Sequence, residues 1–427
     1  MTTSNQPLSR YKSARNLPRR YGADRRFKLY SKIALFIVML FLATLLTGLL
    51  VRGLPAFKKT QIGLDIHFSP KLISTDGRCQ LGPITQKSLT KFFENPQEID
   101  LYPLQLVVSP GACQTLLRYL RHRPENLDRT VRMWLPVSDD VDLYLKSKIQ
   151  SDLRQHRRLK NEQIEFLKKV DDAGRLRTVF NSDFFTQGDA RNPEYAGIAS
   201  AFLGSFYLIL ISLLFAFPVG IASALYLQEF NQHSGWQGYR RFNQLIEVNI
   251  ANLAAVPSIV FGLLGLALFL GVMRLPRSSA LVGGLTLGLM ILPIIILTTR
   301  SALKGVPKTI RYAAQALGAS DVQVVFHHVL PLAMPGILTG TIIAVARALG
   351  ETAPLLMIGM MAFVKDKPYS PLDPASALPA QIFAWSRNPE PGFMANAAAG
   401  ILVLLIFLMA LNMIAILLRR KYEHRWI

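Results

Sequence analysis

Six long apolar runs constrain this chain more than anything else in it. They fall at about Ile33–Val51, Gly197–Leu227, Ile250–Met273, Leu281–Leu297, Ile337–Phe363 and Ala395–Leu418. Each approaches the ~20 residues a helix needs to cross the hydrocarbon core of a bilayer. Such runs offer no polar face to water, whereas lipid asks only that the backbone satisfy itself, which a helix does. Hydrophobic residues make up 51% of the 427 and charged residues 18%, the balance of a polytopic membrane protein. The charges crowd into the part before residue 197 and are sparse afterwards, so one polar domain is expected beside the membrane helices. The fold class is therefore an all-α polytopic membrane protein of six transmembrane helices with an inserted α/β domain.

Orientation follows from where Lys and Arg collect, because cytoplasmic loops carry the excess. The tail Met1–Lys32, the loop with Arg300, Lys304, Lys308 and Arg311, and the ending "RRKYEHRWI" are all basic. Six spans put all three on one side, so both termini are expected in the cytoplasm. The first apolar run is followed by "VRGLPAF", without a small-residue cleavage site, and reads as a retained anchor. A net charge of +21 would also suit a nucleic-acid binder, but topology and attraction to anionic membrane lipid account for it, and no nucleic acid is expected. The expected organisation is a cytoplasmic basic tail (1–32), a first membrane helix (33–51), an outer α/β insert (52–196), a core of five membrane helices (197–418) with a cytoplasmic loop at 299–335, and a short tail (419–427).

Within the insert, "LQLVVSP", "TVRMWLPV" and "LRTVFN" read as strands. "GACQTLLRYLRH", "SDDVDLYLKSKI" and "NEQIEFLKKVDDAG" read as helices, the last closed by Gly174. No metal-ligand spacing or catalytic constellation stands out. Both cysteines, Cys79 and Cys113, lie here. Outside the cytoplasm they could form one disulfide or remain two unrelated buried thiols, and the sequence leaves both open.

The cytoplasmic loop contains "GVPKTIRYAAQALGASDVQVVFHHVLPLAMPGI", which reads as two short helices with a hinge at Gly318. Small alanines and an apolar stripe in such a place suit a helix that docks in a partner's groove. The residues Ala313, Ala314, Gly318, Leu330 and Pro331 keep the spacing of the coupling loop of ABC importer permeases, which this segment resembles. Tyr312 and His328 stand where that pattern has Glu and Ile. The pieces "SFYLILISLLFAFPVGIASALYLQEF", "VPSIVFGLLG" and "ARALGETAPLL" sharpen the resemblance to phosphate permeases of the PstA type. The insert is similar to an extra outer domain carried by some of them.

The resemblance implies a permease that moves inorganic phosphate into the cytoplasm by alternating access in a bacterial inner membrane. The partners it implies are a second related permease, two copies of a P-loop ABC ATPase and a periplasmic phosphate-binding protein. The chain has no Gly-Lys dipeptide and therefore no P-loop. It is expected to be a transport subunit and not an enzyme, with no cofactor of its own and with ATP and Mg on the partner ATPase. Passage of another oxyanion or small solute is the alternative. A membrane receptor would need a cytoplasmic signalling segment that such short tails do not provide.

Arg347 and Glu351, four residues apart in "ARALGETAPLL", are expected on one face of the fifth span. Charges at that depth normally face a protein interior or a water-filled path. The pair either locks the helix to a neighbour or lines a phosphate route in which Arg347 offers planar donors and Glu351 holds it when the anion is absent. Gly350 and Pro354 are expected to kink this helix, since proline removes the donor to the Gly350 carbonyl. Arg300, just inside the fourth span, either helps the anion leave or is a topology charge. Gly336 and Gly340 are spaced for close helix approach.

Overall fold

The computed structural model describes residues 17–70, 72–73, 79–90, 104–147, 159–230, 237–360 and 363–422. It divides into two compact units, Met1–Val51 and Arg52–Ile427. Of the expected tails, residues 1–16 and 423–427 lie outside the described residues.

The described part of the first unit is one helix, α1, which runs Leu17–Gly53 and so reaches two residues into the second unit. Its basic early turns, with Arg20, Arg25, Arg26 and Lys28, pass without a break into the apolar stretch. From Ile33 onward α1 is apolar on all sides, the pattern of a helix immersed in lipid or protein.

In the second unit the inserted domain, called the outer domain after its expected side, comes first. Its elements are β1 (Lys58–His67), α2 (Leu81–Leu89), α3 (Ala112–His122), β2 (Thr130–Pro136), α4 (Asp139–Ser147), α5 (Asn161–Asp172), β3 (Leu176–Phe180) and α6 (Ser182–Thr186). The sheet is antiparallel with order β2-β1-β3, Leu64 facing Met133 and Thr60 facing Thr178. Ile62, Leu64, Ile66, Phe68, Leu116, Leu135, Phe166 and Val170 form its core. Cys79 and Cys113 are joined by a disulfide, their Cα atoms 5.9 Å apart.

One expectation fails here, and one strand goes unannounced. The segment "LQLVVSP" is not a strand: Leu104 and Gln105 are helical, a turn follows, and only Val108 makes a bridge, to Val137. Conversely, the central strand β1, "KKTQIGLDIH", gives no clean apolar alternation. Its buried Lys59 pairs with Asp183, and Asp65 accepts from Arg132 Nε and Arg175 Nη1 at 3.0 and 2.9 Å. Those guanidiniums hold the Asp65 carboxyl below its usual range.

The membrane part comprises α7 (Ala199–Leu225), ending in a π-helical turn Tyr226–Phe230, then α8 (Gln237–Ala254) and α9 (Ser258–Gly265), which continues as a π-helix over Leu266–Val272. Next are α10 (Ala280–Lys304), α11 (Lys308–Ala316), a helical turn Asp321–Gln323 with a π-helical stretch Val324–Val329, α12 (Leu330–Gly350), α13 (Ala353–Met357), α14 (Leu378–Ser386) and α15 (Pro391–Tyr422). Among the described residues, five helices are long and apolar enough to cross a membrane, or six if the bent pair Asn243–Ala254 and Ser258–Val272 counts as one span. The expected third span is thus two helices meeting at 103°. Pro257, extended at φ −55° and ψ 137°, marks the break, because proline disfavours helix at the residue before it.

The fifth span also differs from its expected bounds. It occupies Asp321–Gly350, because the second helix of the preceding loop continues into it without a break at Leu330-Pro331. Helix α10 lies at the centre of this part, packed along α7 and α12 with Leu287, Ile291 and Ile295 buried. The approach to α12 is close enough that a Cβ on Gly340 would stand 2.2 Å from Thr298 Oγ1. An aromatic seam joins the outer domain to the membrane part, with Phe184 6.1 Å from Trp385 and Trp385 6.3 Å from Phe393.

Candidate functional site

Arg347 lies in the last turn of α12, and Glu351 is the first residue beyond it, extended at φ −84° and ψ 122°. Arg347 Nε and Glu351 Oε1 are 3.7 Å apart, with side chains 44% and 23% exposed. The two charges meet, but they are neither buried nor on one continuous helix. The expected kink is likewise corrected. Gly350 ends α12, and Pro354 occupies the first turn of α13, where its missing N–H costs nothing. Ending the helix is cheaper than carrying an unpaired carbonyl past proline.

Arg300 is 8% exposed and pairs with Glu247 of α8. Its Nε and the neighbouring Thr299 Oγ1 are buried without a partner. The sequence singled out Arg300 but not Glu247, which sits in the helix whose continuation is broken at Pro257. An acid among the apolar residues of "FNQLIEVNIANLA" was the available signal.

The segment between α10 and α12 has the two-part form its sequence suggests. Gly318 closes α11 at φ +86°, a left-handed position that glycine adopts without strain. The Ser320 side chain caps the next turn, with Gln323 reaching back to the Ser320 backbone. Ala314, Val324, Val325 and Val329 face inward. Tyr312, Leu317 and Phe326 are left on the outside, Leu317 at 90% exposure. Ala313 is exposed beside them, while Leu330 and Pro331 begin α12. Arg311 turns the other way, toward Glu229 at the end of α7. The sequence offered Arg311 only as a topology charge and did not point to Glu229.

A separate cluster of acids lies where the outer domain meets α15. Asp139 Oδ2 accepts from the Gly392 N–H at 2.7 Å, and Asn396 Nδ2 donates to the Pro193 carbonyl at 2.9 Å. Glu194 Oε2 accepts from Ser109 Oγ at 3.3 Å, and the Tyr195 and Thr115 hydroxyls are 2.9 Å apart. Burial, followed by repulsion from Asp139 and Asp142, pushes the Glu194 carboxyl up to about 8. Burial likewise pushes Asp139 to about 6 and raises the Tyr195 phenol. Among the described residues, no group of three or more His, Cys, Asp or Glu side chains is placed to hold a metal ion.

Residues 216–427 match the family described as binding-protein-dependent transport system inner membrane component. Residues 14–155 match a domain of unknown function, DUF3333. The phosphate transport system permease protein PstA of Haemophilus influenzae is 33% identical over 244 residues, 57% of this chain and 82% of that protein. The protein of the same name from Xylella fastidiosa is 36% identical over 243 residues, covering 56% and 81%. A probable ABC transporter permease protein of Bacillus subtilis, YqgI, is 29% identical over 255 residues, covering 56% and 84%. A chain of the inward-facing MetNI methionine ABC transporter aligns at a TM-score of 0.41 and 14% identity over 53% of this chain and 96% of its own.

Proposed function

This chain belongs to the PstA family of inner-membrane transport permeases, with an additional N-terminal domain, and from that membership we propose that it is the passage for inorganic phosphate in an ATP-driven importer. The observation that carries the solute is that the relatives sharing about a third of their residues with it are phosphate permeases by name. Energy comes from two copies of a P-loop ATPase, which hold the ATP and Mg. A binding protein delivers phosphate on the outer side, and a second permease completes the channel. Both termini face the cytoplasm, so α11 and Gly318 lie on the ATPase side. The exposed Tyr312, Leu317 and Phe326 support this, because an apolar face outside the bilayer needs a protein groove to cover it.

In this reading Arg347 is the anion's resting point on the route, and Glu351 occupies its guanidinium between passages. Arg347 is accessible and loosely paired, which leaves donors free for a tetrahedral oxyanion. Arg300, nearer the cytoplasm and held by Glu247, stands on the exit side. The deciding test is ATP-dependent uptake by the reconstituted complex, comparing labelled phosphate with labelled sulfate. Preference for sulfate, or uptake without ATP, would refute the reading. Arg347→Gln should assemble and lose uptake by about tenfold or more, as loss of a charge-assisted contact to the solute predicts. The double variant Arg347→Gln/Glu351→Gln should stay inactive. Recovery of uptake in the double variant would show the pair to be purely structural.

A further inference from the structure

The short helix α11 must pass its partner's motion to helices that cross the membrane, yet little apolar surface holds it there. Of its nine residues only Ala314 is fully buried, with Ile310 partly so. Apolar contact of that extent is non-directional and resists sliding poorly.

Arg311 supplies the direction. Its Nε donates to Glu229 Oε2 at 3.0 Å and its Nη2 to Glu229 Oε1 at 2.7 Å, a bidentate pair. Its Nη1 donates to the Val306 carbonyl at 2.8 Å and its Nη2 also to the Leu303 carbonyl at 3.0 Å. Leu303 lies in the last turn of α10, where its carbonyl also accepts the Val306 N–H at 3.2 Å and the helix dipole end favours a cation. Glu229 sits in the π-helical turn that ends α7. The side chains of Arg311 and Glu229 are 17% and 9% exposed. One planar, permanently charged group therefore joins three elements: the coupling helix, the end of α7 and the end of α10. The last two are packed along each other, and α10 is packed along α12.

We infer that Arg311 is the positioning residue through which α11 grips the membrane helices, with Glu229 as its anchor on α7. Displacement of α11 then has to carry both helix ends with it. Lysine would keep the charge but lose the fork that reaches a carboxylate and two carbonyls at once. The inference rests on the reading of this chain as an ATP-driven permease.

The test uses the complete reconstituted complex with its ATPase, second permease and phosphate-loaded binding protein, and reads phosphate moved per ATP hydrolysed. Arg311→Lys and Glu229→Gln should each lower that ratio by about tenfold or more, the effect expected when one member of a buried hydrogen-bonded pair is altered. A residue that merely held the fold together would lower transport and hydrolysis in step, leaving the ratio at its wild-type value. That result in both variants overturns the inference. Because the ratio is taken per assembled complex, reduced abundance of one variant does not mask it, and Glu229→Gln preserves shape if Arg311→Lys assembles poorly. A wild-type complex that moves no phosphate would refute the broader reading first, and the inference with it.

Discussion

Glu194 makes the seam between the outer domain and the membrane helices sensitive to pH in a calculable way. Glu194 belongs to the segment linking α6 to α7, and its carboxyl has Ser109 as donor and the carboxylates of Asp139 and Asp142 nearby. Lys58, Lys59, which pairs with Asp183, and Lys146, which pairs with Asp142, line the same cavity. A carboxyl held at about 8 rather than 4.5 binds its proton more tightly in the closed seam than in an opened one. Its stabilising effect is therefore complete below about pH 4.5 and is lost as pH rises through about 8. Asp139, raised from 3.8 to about 6, contributes with the same sign over a lower range. Between about pH 6 and about pH 9 the Glu194 contribution falls by about 2.7 kcal/mol, roughly hundredfold in the opening equilibrium. Hydrogen exchange of the α4 amides and of residues 188–196, corrected for intrinsic exchange, should show that loss of protection in the reconstituted protein. Glu194→Gln should flatten most of the dependence. Wild-type protection constant across this range, or a Glu194→Gln profile as steep as the wild type, would refute the reasoning.

Reduction of the Cys79–Cys113 bond, which closes a separation of 34 residues, should lower the stability of the outer domain by ~3.8 kcal/mol on the chain-entropy account, measured by urea-dependent proteolysis. Gly318→Asp forces a side chain into the left-handed position at φ +86° and a carboxylate onto the exposed face proposed to dock the ATPase. It should uncouple hydrolysis from uptake without preventing membrane insertion, and normal uptake would contradict that assignment. Gly340→Val places atoms where Thr298 already stands, so thermal unfolding of the membrane part should reveal a loss of about 1–3 kcal/mol.

What could be read from the sequence depended on how local the cause was. The apolar runs announced themselves because a spanning helix is fixed by its own composition, and the resemblance to ABC importer permeases drew attention to the segment around Gly318. Gly318 was legible because a left-handed closure needs a particular residue type. The strand β1 was not, since Lys59, Thr60 and Asp65 look exposed until Asp183, Arg132 and Arg175 arrive from far along the chain. The end of α12 at Gly350 was misread as a kink for a related reason. Proline fixes only a local penalty, and the surrounding packing decides whether the chain bends or starts a new helix. Glu229 and Glu247 were missed because each belongs to a pair made across at least 53 residues of sequence.

Among the described residues, the three arginine–carboxylate pairs of the membrane part differ in the property that separates a binding contact from a mechanical one. Arg347 and Glu351 touch through one long contact with nearly half of the arginine exposed, and such pairs contribute only about 0–1 kcal/mol. An anion can displace Glu351 from Arg347 at little cost and be displaced in turn, as a transient site requires. Arg311 and Glu229 are the opposite: bidentate, largely buried and supported by two carbonyls. Separating them would leave a largely buried carboxylate unpaired and the guanidinium with only its two carbonyls, a penalty of about 3–5 kcal/mol, so the pair should travel as one body. Arg300 lies between these limits, itself buried but tied to a Glu247 that is 39% exposed. Its partner can be solvated without the arginine moving, which suits a residue that hands an anion onward more than one that transmits force. Giving the first pair the character of the second would therefore be expected to lock Glu351 onto Arg347 and exclude phosphate, and the reverse exchange to let α11 slip.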